Sequence, residues 1–198
     1  SQSYQMLRPV LRRFDKGLGP SVWEGIRAAK YRNIVVMESD LSHCLLEIPE
    51  MISFLEEGKQ IVWKNRYAAS DKVGKTPEKR VKLLFGRSIN YLLKKILAIP
   101  VSDSTNRFFA FRREILKSAN FKYLFTGYGE FPFLFLSTLF REQIVEKKDI
   151  IELPCVHIRR AANLSKTNRL MEGISYLLIA LAARFGKPPS IRKPKSFK

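Results

Sequence analysis

Apolar positions recur along this chain with two different periods. Val22, Ile26 and Ala29 lie three to four residues apart and predict a helix over Ser21–Lys30, entered through the Lys16-Gly-Leu-Gly turn with Pro20 in its first turn. Ile34-Val-Val-Met37 and Gln60-Ile-Val-Trp63 are short and nearly continuous in apolar residues, as expected of strands buried on both faces. Between them Ile48, Ile52 and Leu55 predict a helix over Glu47–Glu57, closed by Gly58. Further on, Leu83, Leu84, Ile89, Leu92, Leu93 and Ile96 predict a helix over Lys82–Leu97. Asp103–Phe111 reads as a turn running into a strand, 113–119 as a short helix, and Phe131–Phe140 as a buried helix with Pro132 in its first turn. Ile150–His157 completes the strands, and Thr167–Arg184 is an amphipathic helix. Residues 6–14, with Pro9, read as an extended or edge segment. Residues 67–79 are polar and lysine-rich and read as a loop.

Strand–helix alternation over the first 65 residues predicts an α/β fold with a mostly parallel sheet flanked by helices. Ligands of such sheets sit beyond the carboxyl ends of the strands. Glu38 and Asp40 follow Ile34–Met37 directly and so lie at such an end.

Length and composition then bound the function. With 198 residues and 45% hydrophobic side chains, 14 of them Phe, the chain can bury a real core in one domain over 1–184; 185–198 reads as a basic Pro/Lys-rich tail. Charge changes the picture more: 36 Lys and Arg against 18 Asp and Glu leave +18, which calls for an anionic partner. Residues 61–100 and 151–198 each carry 10 basic and 2 acidic side chains, so the excess sits in two blocks. Two distant cysteines, Cys44 and Cys155, and two histidines give neither a disulfide framework nor a zinc-site spacing. Cysteines so used fit buried thiols in a reducing compartment, on the cytosolic face of a membrane or in an organelle matrix. No nucleophile elbow is present.

Several segments, in order, resemble GT-A-fold family 2 glycosyltransferases of the dolichol-phosphate mannosyltransferase type. Lys16-Gly-Leu-Gly19 is similar to the family's post-strand loop, and Val36-Met-Glu-Ser-Asp-Leu-Ser-His43 to its metal-binding Asp-X-Asp segment. Asn65-Arg-Tyr67 resembles Ser-Arg-Tyr, and Asp103-Ser-Thr-Asn-Arg-Phe-Phe-Ala-Phe-Arg-Arg113 the Asp-X-X-Ser-Gly-Phe stretch. Glu152-Leu-Pro154 resembles Glu-Val-Pro, and Arg160-Ala-Ala-Asn-Leu-Ser-Lys166 resembles Arg-X-X-Gly-X-Ser-Lys. The resemblance implies transfer of a hexose from a nucleotide-sugar to a polyprenyl phosphate. It implies Mg²⁺ or Mn²⁺ held by Glu38 and Asp40, bridging the donor phosphates. It implies phosphate binding by Arg66, Arg80, Arg87, Arg160, Ser165 and Lys166. Asp40 and Asp103 become the catalytic carboxylates, with a turn cap as the plainer role of Asp103. The 168–184 helix is either a core helix or a membrane-surface element.

Departures from the pattern open a second function. Glu38 stands for an Asp, Arg107 and Asn163 stand for glycines, Asn65 stands for a Ser, and the apolar helix before Glu152 lacks a carboxylate. The two β–α units that open the family's domain have no counterpart ahead of Lys16, so the sequence implies a domain incomplete at its N-terminus. The chain is then either a piece of a longer enzyme or a non-catalytic glycosyltransferase-fold protein, recruited as a basic subunit of an RNA–protein assembly such as an organellar ribosome. In that second role Phe108, Phe109 and Phe111, interleaved with Arg107, Arg112 and Arg113, would offer bases a stacking strip; as a core strand they would be buried.

Overall fold

A computed structural model describes residues 8–10, 17–40, 42–68, 77–118, 121, 129–155 and 169–186. Its elements are α1 (Leu18–Ala28), β1 (Asn33–Val36), α2 (Ile48–Glu56), β2 (Ile61–Asn65), α3 (Pro77–Leu97), β3 (Phe109–Arg112), α4 (Phe131–Arg141), β4 (Ile150–Pro154) and α5 (Arg169–Arg184). Single 3₁₀ turns cover Leu45–Glu47, Arg113–Leu116 and Lys147–Asp149. The α/β class with a sheet flanked by helices is therefore as expected. Gly58 ends α2 at φ 112°, a backbone conformation that favours glycine. Pro132 sits in the first turn of α4. The extended segment expected over 6–14 is described only at 8–10, where no strand forms, and most of the 67–79 loop and of the C-terminal tail lies outside the described residues.

The four strands lie in the order β1-β3-β2-β4. β3 pairs antiparallel with both β1 and β2, while β2 and β4 pair in parallel. The expectation of a mostly parallel sheet holds for three of the four strands, with β3 the antiparallel one. β1, β2 and β4 do run the same way; what the strand–helix pattern could not show is that β3 enters between β1 and β2. The reason lies in the 101–108 connection, which is anchored at the carboxyl end of β2: Trp63 Nε1 donates to the Asp103 carbonyl (2.8 Å), and Asn106 Nδ2 to the Lys64 carbonyl (2.6 Å). A chain held at that edge can only run back across the sheet.

Side-chain alternation divides the sheet into two buried faces. Ile34, Ile61, Trp63, Phe109 and Phe111 face the core shared with α1, α3, α4 and α5. Val62, Phe108 and Ala110 face α2, against Met51, Leu55 and Cys155. Trp63 stacks on Phe109 at 4.4 Å, and Phe135 of α4 meets Phe109, Phe111, Phe121 and Phe131. Phe108, Phe109 and Phe111 are fully buried, so the aromatic strip is core and not a stacking surface. Of the two thiols, Cys155 is buried and Cys44 only half-buried. Gly173 lets α5 approach α3 closely, for a Cβ there would stand 3.0 Å from Phe85 and 3.1 Å from Ile89.

Candidate functional site

The carboxyl ends of β1, β2 and β4 and the entry to β3 share one edge. Register explains what meets there. Val36 lies opposite Phe109 as the last pair of the ladder, and just beyond it Glu38 and Arg107 meet. Arg107 Nη1 donates to Glu38 Oε1, and the two side chains are 17% and 21% exposed. His43 Nε2 stands 3.6 Å from the other oxygen of Glu38. Asp40 Oδ1 accepts the backbone N–H of Ser42 at 3.0 Å, an Asx turn that folds the segment back on itself.

At the end of β2 a second pair forms. Arg66 donates to Asp103 Oδ2 from its backbone N–H (2.9 Å) and Nε (2.8 Å), and from Nη2 to Oδ1 (2.7 Å). This is a bidentate guanidinium–carboxylate contact with the carboxylate fully buried. Burial by itself would lower the Arg66 pKa; the charge and hydrogen bonds of Asp103 outweigh it and raise it, with a smaller push from Glu38. Asp103 is also held through its backbone. Glu152 Oε1 accepts the N–H groups of Ser102 (2.8 Å) and Asp103 (3.0 Å), and Trp63 donates to the Asp103 carbonyl. Asn90, buried on α3, accepts from Ser104 Oγ and Thr105 N–H, and donates to Thr105 Oγ1 and the Gly86 carbonyl. Beside these, the buried ammonium of Lys64 meets Glu47 (3.1 Å), Glu50 (2.9 Å) and the Pro154 carbonyl.

Next to the Arg66–Asp103 pair an open cleft of about 440 Å³ is lined by Tyr67, Arg87, Tyr91, Lys94, Lys95 and Ser102. Tyr67 follows Arg66 in the chain and Ser102 precedes Asp103, so cleft and strand-end edge are continuous. Asn65 Oδ1 accepts the N–H groups of Tyr67 and Ala68, and Arg87 Nη2 donates to the Tyr67 carbonyl (3.1 Å). Gly86 makes room for the Tyr67 hydroxyl, which a Cβ would meet at 2.5 Å. Burial raises the Tyr67 pKa against the pull of Arg66. Three cations among two tyrosines suit a phosphate carried on an apolar or ring-bearing body.

Of the residues expected to act, the structure brings Glu38, Asp40, Arg66 and Asp103 to one edge and Arg87 to the adjoining cleft. Arg80 lies two turns before Arg87 on the exposed side of α3. Arg160, Ser165 and Lys166 lie outside the described residues. Sequence reasoning missed Asn90, Tyr91, Lys94, Lys95, the grip of Glu152 on the 102–103 turn, and the pairing of Arg107. A signal existed for Asn90, a polar residue among the apolar positions of α3.

As arranged, Glu38 and Asp40 do not fit a divalent-metal pair. Arg107 holds one oxygen of Glu38, and His43 faces the other. Asp40 spends an oxygen on the Ser42 amide. Among the described residues no group of three His, Cys, Asp or Glu side chains converges.

Comparison with known proteins gives these features a setting. Residues 1–119 match the family model described as glycosyl transferase family 2. A dolichol-phosphate mannosyltransferase of Pyrococcus furiosus is 30% identical over 115 residues, covering 56% of this chain and 32% of that protein. The chain thus spans about a third of the length of that relative. Glucosyl-3-phosphoglycerate synthase from Mycobacterium tuberculosis, solved with uridine diphosphate, superposes with a TM-score of 0.59 at 22% identity, covering 88% of this chain and 57% of that one. The same enzyme solved with Mn²⁺, UDP-glucose and phosphoglyceric acid gives a TM-score of 0.56 at 21% identity over the same shares. These two show that the fold is shared with GT-A glycosyltransferases.

Proposed function

The chain belongs to glycosyl transferase family 2, and from that premise we propose that it serves to move a hexose from a nucleotide-sugar to a polyprenyl phosphate. The basic, tyrosine-lined cleft continuous with the strand-end edge carries this reading. The donor lies beyond the strand ends, where α/β sheets take ligands. The acceptor phosphate lies in the cleft, held by Arg87, Lys94 and Lys95. An oxygen of that phosphate, already ionised, attacks the anomeric carbon with little need of a base. The bond from that carbon to the donor diphosphate breaks, and the nucleoside diphosphate leaves with the electron pair. Arg66 meets the developing charge, and Asp103, itself buried, acts as a positioning residue for Arg66. Asp40 remains the acid at the end of β1. On the resemblance of their motif, Arg160, Ser165 and Lys166 add phosphate contacts.

The lipid nature of the acceptor has two supports. The matched relative is named for dolichol phosphate. On α5, Leu170, Met171, Ile174, Leu178, Leu181 and Phe185 form an exposed apolar row, while Gly173, Tyr176 and Ala180 face inward. No helix among the described residues is long and apolar enough to cross a membrane, so this row suits lying along a membrane surface.

The test is sugar transfer by the full protein from labelled nucleotide-hexoses to polyprenyl phosphate in detergent micelles. Label should enter the lipid phase. Replacing Lys94 and Lys95 by Ala should raise the KM for polyprenyl phosphate about tenfold, with the donor KM unchanged. No lipid product from any nucleotide-hexose would end this reading.

A further inference from the structure

We propose that Arg107 is the resident cation of the strand-end edge: Glu38 is its counter-ion, and the edge holds a diphosphate without a divalent metal. This rests on the donor placement above and adds what receives the donor's charge.

β3 runs against β1 with Val36 opposite Phe109 as the last pair, so residues 38 and 107, two positions beyond it, come to the same end of the strand pair. There Arg107 and Glu38 form an ion pair. A guanidinium carries five N–H donors in a planar fork, and one carboxylate oxygen engages only part of it. On α5, Tyr176 Oη donates to Glu172 Oε1 (2.6 Å); burial raises the Tyr176 pKa and this bond adds to it, whereas the nearby charge of Arg107 opposes both. Gly129 leaves the room that the Tyr176 hydroxyl occupies, since a Cβ there would collide with it. Arg107 is thus a cation held by Glu38 after β1, with Tyr176 of α5 nearby, and partly open to solvent. Such a group binds phosphate oxygens in the way planar guanidinium forks do. A divalent cation on Glu38 would have to sit about 2.0–2.6 Å from its oxygens, beside a guanidinium already in contact with them. The two like charges would exclude each other.

Three measurements on the full protein test this. In a Mn²⁺ titration followed by electron paramagnetic resonance, the wild type should show no saturable site below about 1 mM, and Arg107→Gly should create one at least about tenfold tighter. A tight wild-type site abolished by Glu38→Gln would overturn the proposal. In calorimetry with EDTA, inorganic pyrophosphate should bind the wild type, change by less than about twofold when Mn²⁺ replaces EDTA, and weaken about tenfold in Arg107→Gly. Binding that appears only with Mn²⁺, or that ignores Arg107→Gly, overturns it. If Arg107→Gly does not fold, Glu38→Gln decides: releasing the guanidinium should tighten pyrophosphate, and weaker binding contradicts the proposal. Sugar transfer read with and without EDTA separates this idea from the transfer reading. Transfer only with Mn²⁺ defeats the metal-free site and keeps transfer. Metal-free pyrophosphate binding with no transfer under any condition does the reverse.

Discussion

Two arginine–carboxylate pairs share one edge of the sheet, yet they are built differently. Asp103 is fully buried and held from every side: Arg66 grips its carboxylate, Glu152 its amide and Trp63 its carbonyl. Glu38 and Arg107 meet across a strand pair, both partly exposed. The first pair closes a loop onto the sheet and cannot be separated without leaving a charge unpaired where water has poor access. The second can exchange its partner for a ligand. Rigidity belongs to the former and reactivity toward anions to the latter, although both are made of the same two kinds of side chain.

Breaking the rigid pair should have the largest effect. Asp103→Ala is expected to lose about 3 kcal/mol of stability in urea unfolding, the lower end for a severed buried pair because Arg66 is one-third exposed. A loss below about 1 kcal/mol, the level of a surface pair, would erase the contrast. Next comes Glu152→Ala, which removes the acceptor of two amides and should destabilise by about 2 kcal/mol, with Glu152→Gln restoring most of it because one oxygen remains. Equal losses in both variants would show that the charge, not the acceptor, matters.

A gentler probe lies behind the edge, at Cys155, whose N–H donates to the Asn65 carbonyl. Burial, helped by the charge of Glu47, pushes its thiol from 9.0 up to about 11. The folded state therefore keeps the proton more tightly than the unfolded state. This contribution to stability is fully present below pH 9 and lost as pH rises through about 11. Thermal melts should fall across that window and fall less in Cys155→Ala; equal slopes would remove Cys155 as the cause. The smallest effect is expected at the open pair. Glu38→Gln should change stability by less than about 1 kcal/mol, as for partly solvated ion pairs, and a larger loss would make Glu38–Arg107 a structural pair like the other.

Much of this architecture is legible in the amino-acid sequence. The apolar run Ile34–Met37 and the acids after it read directly as a strand and its functional end, and the alternation of Phe108, Phe109 and Phe111 reads as a buried strand. Boundaries are less so: α3 starts at Pro77 rather than Lys82, because its first turns are charged and show no apolar period. Glu152 stands out in a motif but its task does not, since its partners Ser102 and Asp103 lie about fifty residues away. Asn90 and Lys64 are opaque for the same reason, as polar side chains whose burial depends on elements far along the chain.

What the sequence determined by itself was local: the periods that make helices and strands, the capping glycine at 58, the positive charge, and which residue types stand at the strand ends. Tertiary structure decided everything that depends on two distant segments meeting. Inserting β3 between β1 and β2 brought Arg107, which precedes β3, against Glu38, which follows β1. The 101–108 turn, pinned to the end of β2, buried Asp103 against Arg66. Periodicity is written in neighbours three or four residues apart, whereas register is set by packing both faces of a sheet at once, and no single segment carries that information.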